Sequence, residues 1–385
     1  MTDDIYQRLT VLVKQWGKDL GFQEVGITDT RLDEHESHLD RWLESGYHGD
    51  MHYMAAHGTK RSRPAELVAG TKRVICVRLN YLKDTQTKSI ITSDNSDDYP
   101  ITTAETADDT ATEKMSGPGN RDKKGYVARY ALGRDYHKVI RKRLLRLWQR
   151  MEEYLAAADL THHSARVFTD SAPILEKALA EKAGLGWIGK NTLLLNKNAG
   201  SWFFLGEMFT DIPLMVDEPT VSSHCGSCTS CMDVCPTNAF VAPYRLDATQ
   251  CISYLTIEYR GSIPLELRKP IGNRIFGCDD CQVFCPWNKF ASFSEEADFS
   301  PRHNLDNPAL LVLFGWSEQE FLKNTEGSAI RRTGYEGWLR NIAVALGNAS
   351  HDPEVIQALT LKKETASELV KEHISWAIEQ QASRQ

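Results

Sequence analysis

The sequence lacks a long apolar run, an excess of positive charge and a recognisable leader. No stretch of the 385 residues approaches the roughly 18 apolar residues that a membrane span needs, so we expect no membrane segment. The net charge of −7 argues against nucleic-acid binding through bulk charge, and any such site must be a local basic patch. The first residues, MTDDIYQRLTVLVKQW, have neither the basic nor the apolar region of a secretory signal. We therefore expect a cytoplasmic protein with reduced thiols.

Cysteine is the residue type that the sequence uses most distinctively. The run CGSCTSCMDVCP has the C-x2-C-x2-C-x3-C-P spacing of bacterial two-cluster ferredoxins, in which the fourth cysteine ligates the other cluster. The second run, CDDCQVFCP, lacks a leading cysteine, and Cys251 between the runs replaces it. The spacing therefore predicts two 4Fe–4S clusters. The first uses Cys225, Cys228, Cys231 and Cys285, and the second uses Cys235, Cys251, Cys278 and Cys281.

Zinc sites and disulfides are the alternatives for these cysteines. Zinc ribbons prefer two isolated C-x2-C pairs and have no reason for a cysteine triplet closed by x3-Cys-Pro. Disulfides would require an oxidising compartment. The ninth cysteine, Cys76, lies in RVICVRLNY, which has the composition of a buried strand, and we interpret it as a small core residue.

The hydrophobic pattern predicts an α+β chain of three parts. Residues 1–218 form an α/β domain, 219–290 a ferredoxin-like domain, and 291–385 a helical domain of HEAT-like repeats. A polar stretch at 84–124 has almost no large apolar residues and predicts a mobile surface insertion. Helices are predicted at 4–20, 136–155, 173–183, 317–324, 335–347, 353–360 and 365–380, and the clearest strands at 73–82 and 166–170.

Two motifs of the first part carry candidate chemistry. GLGWIGKNT (184–192) nearly satisfies two phosphate-loop signatures, but a helix precedes it and Asn191 replaces the magnesium-binding hydroxyl. A glycine-rich turn beside a large or phosphate-bearing ligand, with charge from Lys190, remains open. Asp170 in VFTDSAP is either a helix N-cap or an acid that lines a cleft, where burial would raise its pKa. Asp135 and His137 have the same ambiguity, and alone they indicate helix capping and a surface position.

Basic residues form three groups along the chain. The first lies on the helix predicted at 136–155, the second surrounds Arg260, and the third is interleaved with Tyr335 and Trp338. Such runs are usually solvated helix faces, but basic side chains mixed with aromatics also suit structured RNA. The residues are Lys138, Arg141, Lys142, Arg143, Arg146 and Arg150, then Arg260, Arg268, Lys269 and Arg274, then Arg331, Arg332 and Arg340.

Several long motifs together resemble the epoxyqueuosine reductase family, the cobalamin-dependent enzymes that complete queuosine in tRNA. They are RYALGRDYHKVIRKRL, DSAPILEKALAEKAGLGWIGKNTLL, GSWFFLGEMFTD, CGSCTSCMDVCPTNAF, CISYLTIEYRG and GCDDCQVFCPWNK. The resemblance covers nearly the whole chain except 84–124. No D-x-H-x-x-G cobalamin signature is present, because Ile140 stands in place of its glycine. Cobalamin is therefore implied by the resemblance and not by spacing.

The resemblance implies reduction of epoxyqueuosine to queuosine at the wobble position of tRNA. Flavodoxin or ferredoxin would supply electrons through the two clusters to cobalamin, and Asp170, matching the family's acid, would protonate the departing oxygen. The anticodon stem-loop would be gripped by Arg260, Arg331, Arg332 and Arg340, and we expect a monomer. Cobalamin contacts are implied at Arg61, Gly133, Asp170, Lys190, Asn191, Leu194, Leu205, Met208, Ser253, Cys278 and Asp279.

Two other functions compete with this one. A reductive dehalogenase-like enzyme would use the same cofactors on a small molecule, but such enzymes typically carry a twin-arginine export signal, which the first residues lack. A pure electron-transfer protein would hold clusters without a catalytic centre. It would leave the long segment before Cys225 without a purpose.

Overall fold

The structure is a computed structural model that describes residues 2–83, 123–219 and 223–384. The insertion predicted at 84–124 lies outside the described residues, except for Lys123 and Lys124. In chain order the strands are β1 (Glu24–Thr28), β2 (Arg73–Asn80), β3 (Tyr126–Val127), β4 (Ala165–Phe168), β5 (Trp187–Ile188), β6 (Leu194–Leu195), β7 (Phe203–Thr210), β8 (Phe240–Ala242), β9 (Arg245–Leu246) and β10 (Arg274–Phe276).

Helices flank the sheet in the first half of the chain and dominate the second half. They are α1 (Thr2–Asp19), α2 (Asp33–Glu44), α3 (Pro64–Leu67), α4 (Tyr136–Ala156), α5 (Glu176–Lys182), α6 (Ser230–Asp233), α7 (Ile252–Ile257), α8 (Leu265–Ile271), α9 (Asp280–Val283), α10 (Leu310–Gly315), α11 (Glu318–Asn324), α12 (Gly334–Asn348), α13 (Pro353–Thr365) and α14 (Glu368–Ala382). Among the described helices, none is long and apolar enough to span a membrane.

A four-stranded sheet in the order β1-β2-β7-β4 forms the centre of the first part. Alternate residues of each strand point to opposite faces. Ile75 and Val77 therefore join one core beneath α1 and α4, whereas Val74 and Cys76 join a second core with α5. Cys76 is fully buried, as a core residue should be.

The pairing of this sheet corrects one prediction of fold class. Every neighbouring pair in the sheet is antiparallel. The α+β class predicted for the whole chain agrees with this mixture of helices and sheet. The α/β class predicted for the first part is wrong, because that class requires parallel strands joined by crossover helices.

The cysteine-rich segment is tied to both of its neighbours. Strand β10 pairs in parallel with the short strand β3 of the first part. Helices α7 and α8 share a core with Val344 of α12 and with Trp42 of α2. The cluster loops are therefore held between the sheet domain and the C-terminal helices.

The C-terminal helices lie close to their predicted positions because residues that favour helix N-caps mark where they begin. Asp352 caps α13, whose first residue is Pro353, and Ser367 caps α14. A capping box of Ser317 and Glu320 begins α11. Helix α12 lies at the centre of this group, packed against α14 and β10, and most of its residues are buried. An arrangement in HEAT-like repeats stays a prediction.

Candidate active site

Asp170 lies in the loop after β4 and is bound by the first turn of α4. Its Oδ2 accepts a hydrogen bond from Tyr136 Oη at 2.5 Å and lies 3.4 Å from His137 Nε2. Its side chain is 59% exposed, so the carboxylate can meet a molecule from outside. Helix α5 begins at Glu176, not at Pro173, and has no side-chain cap. The N-cap interpretation of Asp170 is therefore wrong.

His137 links two carboxylates at the start of α4. Asp135 caps the helix by accepting the backbone N–H of His137 at 3.1 Å, and its Oδ1 lies 2.6 Å from Nδ1 of the same residue. Burial lowers the pKa of His137, but the hydrogen bonds to Asp135 and Asp170 outweigh it and raise the pKa to about 9. His137 is therefore a cation at neutral pH. It links the two carboxylates of the site and is not only the surface residue that the sequence indicated.

The same hydrogen bonds decide the charge of Asp170. Desolvation raises its pKa, but the hydrogen bonds from His137 and Tyr136 lower it further than desolvation raises it, so the pKa lies below the usual value. The prediction that burial keeps Asp170 protonated is therefore wrong for this arrangement. At neutral pH the site holds an aspartate anion between two proton-bearing side chains.

The first predicted set of four cysteines surrounds one cavity. The cavity has a volume of about 310 Å³ and is lined by Cys225, Cys228, Cys231 and Cys285 together with Trp287. Burial raises the pKa of the Cys231 thiol to about 11, and the other three thiolates add to the effect. The structure thus brings Cys285 of the second run to the three leading cysteines of the first run.

The second predicted set of four is also brought together. Burial raises the pKa of Cys281 well above its usual value, and Cys278, Cys251 and Cys235 face it. Among the residues that the structure describes, no three His, Cys, Asp or Glu side chains converge closely enough to hold one metal ion. The donor set of eight thiols in two groups fits two cubic clusters, whose larger frames keep the thiolates apart.

The GLGWIGKNT motif supports the cluster loops. It forms the turn of the β5–β6 hairpin, so it is not the strand–loop–helix of a phosphate loop. Lys190 Nζ donates to the carbonyl oxygens of Gly226 at 2.7 Å and Cys228 at 2.9 Å. Asn191 Nδ2 donates to the carbonyl oxygen of Cys281 at 3.1 Å. The ammonium group of Lys190 thus binds the first cluster loop, and a contribution of its charge to a phosphate-bearing ligand stays a prediction.

Comparison with known proteins decides the family. A model described as "Epoxyqueuosine reductase QueG, DUF1730" matches residues 61–171, and one described as a 4Fe-4S double cluster binding domain matches residues 224–288. The chain is 57% identical over 372 residues to an epoxyqueuosine reductase of Pseudomonas aeruginosa, covering 96% of this chain and 94% of that relative. The chain belongs to the epoxyqueuosine reductase family. An Escherichia coli epoxyqueuosine reductase is 52% identical over 377 residues, with 98% and 90% covered.

Solved structures of epoxyqueuosine reductases have the same overall fold. A crystal structure of a selenomethionine-labelled member has a TM-score of 0.77 at 26% identity and covers 98% of this chain and 100% of its own. A second crystal structure, with an epoxyqueuosine-modified stem loop of tRNA-Tyr, has a TM-score of 0.76 at 26% identity, with the same coverage.

Of the cofactor contacts implied by the family resemblance, the fold contradicts that of Met208, whereas that of Gly133 stays a prediction. Met208 is fully buried in the core beneath α1 and α4, whereas Leu205, three residues earlier on β7, points to the opposite face. Because side chains alternate along a strand, the two cannot contact one ligand, and the assignment of Met208 is wrong. A Cβ atom on Gly133 would lie 2.5 Å from the carbonyl oxygen of Asp298, so protein packing already explains this glycine.

Apart from Asp170, the other implied contacts are buried or half-buried, and Ser253 and Asn191 lie beside cysteines of the second set. Asp279 is buried and accepts hydrogen bonds from Tyr126 Oη at 2.7 Å and from the backbone N–H of Arg129 at 2.8 Å. Arg61 is buried and donates to the carbonyl oxygens of Tyr53 and Met54 at 2.8 and 3.2 Å. Leu194 is buried, and Ser253 is half-buried beside Cys251.

Arg129 is a candidate site residue that the sequence patterns did not indicate. It is buried, lies 4.7 Å over the ring of Trp202, and its Nη1 has no hydrogen-bond partner among the described residues. Such a buried donor next to Asp279 suits a ligand that carries amide oxygens, as cobalamin does. The residues around Asp279 therefore fit the cofactor that the family implies.

Of the four arginines predicted to bind tRNA, Arg340 is not available. It is fully buried and donates to the carbonyl oxygens of Leu255, Tyr259 and Gly261. Its prediction as an RNA contact is wrong, because a guanidinium group inside the fold cannot reach a phosphate.

The other three arginines are exposed. Arg260 donates to the carbonyl oxygens of Arg332 and Thr333, whereas Arg332 pairs with Glu258 at 2.6 Å. Arg332 also lies 5.7 Å over the ring of Tyr53, and its charge helps to lower the pKa of Asp170 after the effects of desolvation and of His137 and Tyr136. A predicted RNA-binding residue is thus brought beside the predicted acid.

Helix α4 carries a second exposed basic surface on the side away from its buried face. Arg143 and Arg150 of this helix pair with Glu296 and Asp19. The remaining cations form no ion pair with a residue that the structure describes, and they follow one face of the helix from its first turn. This α4 stripe consists of Lys138, Arg141, Lys142 and Arg146, with Leu145 and Gln149 between them.

Proposed function

We propose that this protein reduces epoxyqueuosine to queuosine at the wobble position of tRNA. The observation that carries the proposal is the exposed Asp170, held by Tyr136 and His137 and adjacent to Arg332, in a member of the epoxyqueuosine reductase family. The reaction converts an epoxide, two electrons and two protons into an alkene and one water. The protein must therefore supply both electrons and protons at one place.

We assign the electrons to two 4Fe–4S clusters on the eight cysteines. Cys228 of the first set is exposed, and burial raises the pKa of Cys278 and Cys281 in the second set. A donor protein of the flavodoxin or ferredoxin type would therefore deliver electrons at the first set, and the second set would pass them inward. Fe–S potentials reach down to about −700 mV, which is low enough for a demanding acceptor.

Cobalamin is the acceptor that the family implies. When bound, it supplies a low-potential cobalt centre for the reduction of the epoxide. Support comes from the unpaired Nη1 of buried Arg129 beside Asp279. We propose that Arg129 holds the cofactor together with Arg61, Asp170, Asn191, Leu194, Leu205, Ser253, Cys278 and Asp279, with Lys190 fixing the adjacent loop.

Asp170 would deliver one of the two protons to the departing oxygen. Because the hydrogen bonds from His137 and Tyr136 hold its pKa below the usual value, Asp170 is ionised at neutral pH and must receive a proton before it acts. His137, with its pKa of about 9, lies 3.4 Å away and carries that proton at neutral pH. We propose that His137 supplies the proton and that Asp170 hands it to the substrate oxygen when the substrate excludes water.

The tRNA would be bound by Arg331, Arg332 and Arg260 on one side and by the α4 stripe on the other. These cations are exposed, whereas the chain as a whole has a net charge of −7. Arg332 lies near Asp170, and the α4 stripe starts in the same helical turn as His137, an arrangement that suits a stem-loop with its modified base in the site. We further propose that the protein acts as a monomer in the cytoplasm.

The direct experiment is an anaerobic assay of the reconstituted protein on tRNA that carries epoxyqueuosine, followed by nucleoside analysis. We expect wild type to form queuosine, and Asp170→Asn to retain both clusters and tRNA affinity without forming it. Absence of queuosine with the wild type under reducing conditions would overturn the proposal. Full activity of Asp170→Asn would remove Asp170 from its role as the acid.

A further inference from the structure

Glu207 is a buried acid in the middle of an otherwise apolar strand. It lies on β7 between Cys76 of β2 and Phe168 of β4, and its side chain is fully buried. Among the described residues, no donor forms a hydrogen bond with either of its carboxylate oxygens. A buried ionised carboxylate without a donor is very costly, so this glutamate needs an explanation.

The group that faces Glu207 is a second acid, Glu176 at the start of α5. Burial and the opposing carboxylate together raise the pKa of Glu207 well above its usual value, and burial raises that of Glu176 to about 7. Two neighbouring carboxyl groups, one of them fully buried, cannot both ionise, so together they hold one proton. Because Glu207 is the more deeply buried, it is the one that keeps the proton and presents an O–H group to Glu176.

No cation replaces this shared proton. The charged and titratable groups that face the pair are Asp170, His137, Lys177, Cys76, Tyr136 and Arg61. Lys177 Nζ donates to the carbonyl oxygen of Thr192, and Arg61 donates to Tyr53 and Met54. His137 bridges Asp135 and Asp170. The pair is therefore balanced by its own proton.

The pair acts on Asp170 through the backbone. A carboxylate oxygen of Glu176 accepts the N–H of Asp170, whose φ of +54° lies in the left-handed region that a non-glycine residue seldom adopts. Such a conformation persists only where neighbouring groups hold it. It is this conformation that turns the Asp170 side chain toward Tyr136 and His137.

We propose that Glu176 and Glu207, sharing one proton, are positioning residues that hold the Asp170 loop in its working conformation. The proposal rests on the proposed function for its catalytic consequence, but the conformation itself exists without substrate. Glu207 acts at a distance by fixing Glu176, and Glu176 acts by holding the Asp170 N–H. Neither residue touches the departing oxygen.

Two replacements of Glu207 separate the effect of its hydrogen-bond donor from the effect of its titratable proton. Glu207→Gln keeps a donor for Glu176, whereas Glu207→Leu removes it. Glu176→Ala removes the acceptor of the Asp170 N–H and lies on a half-buried helix end, so it serves if Glu207→Leu does not fold. Glu181→Gln is the matched control, because Glu181 lies on the same helix and also accepts a backbone N–H, that of Ile188 at 2.6 Å.

We expect Glu207→Leu and Glu176→Ala to slow single-turnover queuosine formation by about tenfold to a hundredfold, the effect of a misplaced acid. Their tRNA affinity should stay that of wild type. Glu207→Gln should keep most of the rate, and Glu181→Gln all of it. Wild-type rates in both Glu207→Leu and Glu176→Ala would overturn the proposal.

Two measurements on the substrate-free protein test the proposal without depending on its activity. The infrared spectrum at neutral pH should show the carbonyl stretch of a protonated carboxyl group, lost in Glu207→Gln and retained in Glu181→Gln. Hydrogen exchange of the Asp170 amide should be slow in wild type and Glu207→Gln and fast in Glu176→Ala. Absence of the carboxyl band, or an unprotected Asp170 amide in wild type, would refute the proposal even if the protein reduces epoxyqueuosine as expected.

Discussion

Replacement of Arg340 by methionine tests whether this arginine stabilises the fold or binds RNA. Arg340 Nη1 donates to the carbonyl oxygens of Tyr259 at 2.9 Å and Gly261 at 2.8 Å, and Nη2 donates to that of Leu255 at 2.6 Å. Its Nε also lies 3.1 Å from Oδ1 of Asn341. Methionine has a similar length but no donor. Arg340→Met therefore takes the donor from four acceptors, the buried oxygens of Leu255 and Asn341 and the half-buried carbonyl groups of Tyr259 and Gly261.

The expected loss of stability in Arg340→Met is the difference between two opposing effects. Each buried acceptor left unsatisfied costs about 1–3 kcal/mol; with half of that for each of the two half-buried carbonyl groups, the four acceptors together cost about 3–9 kcal/mol. Burial lowers the pKa of Arg340 from 12.5 to about 10, so removal of the buried charge gives back about 3 kcal/mol. The middle of the first range less the second leaves a net destabilisation of about 3 kcal/mol. This is a large share of the stability of an ordinary domain.

The assay is amide hydrogen exchange of the holoprotein over residues 255–261, because unfolding of a cluster protein of several domains is not a single two-state step. A loss of about 3 kcal/mol corresponds to exchange about a hundredfold faster where the segment opens. Arg331→Met is the control, since Arg331 is exposed; it should leave exchange unchanged and weaken tRNA binding. Unchanged exchange in Arg340→Met, together with weaker tRNA binding, would refute this reasoning and restore Arg340 as an RNA contact.

Three further predictions concern charge and sulfur. His137 has a folded pKa of about 9 against about 6.5 when unfolded, so its stabilising effect is complete below about pH 6.5 and is lost as pH rises through about 9. Because the His137 ring is 32% exposed, we expect a contribution of roughly 1–2 kcal/mol, measured as the difference in amide-exchange protection of α4 between wild-type and His137→Gln holoprotein. Neutralising the four cations of the α4 stripe should weaken tRNA binding and reduce its dependence on salt. Cys285→Ser should lose the first cluster and keep the second, by iron analysis and electron paramagnetic resonance.

Each of these predictions has a distinct contrary result. A His137→Gln difference that grows above pH 9 would contradict the raised pKa. An unchanged salt slope in the stripe variant, with Glu152→Gln and Glu153→Gln as surface controls on the same helix, would place the RNA elsewhere. Loss of the second cluster alone in Cys285→Ser would reverse the division of the cysteines between the two sets.

Local sequence signals predicted the elements and the cysteine sets well. Caps such as Ser317 and Asp352 and the alternation along β2 are local, so helix positions and the burial of Cys76 followed from them. Cys285 joined the first set as expected, because the ferredoxin spacing already encodes that crossing.

The errors arose where contacts distant in sequence decide the outcome. The pKa of Asp170 depends on Tyr136 and His137, 34 and 33 residues earlier, and no local pattern shows them beside it. Arg340 has basic and aromatic neighbours in the sequence, as an RNA-binding arginine often does. Only the packing of α12 shows that it is buried. Met208 is a different case, because the local alternation of side chains along β7 already separates it from Leu205.

The central claim is that eight thiolates gather in two groups of four to hold the electron-carrying clusters. Anaerobic metal and sulfide analysis of the purified protein, with Mössbauer spectroscopy of an iron-57 sample, tests it most directly. The account predicts about eight irons and eight sulfides per chain, all in 4Fe–4S form. Zinc in place of iron, or about four irons that persist after full reconstitution, would contradict it.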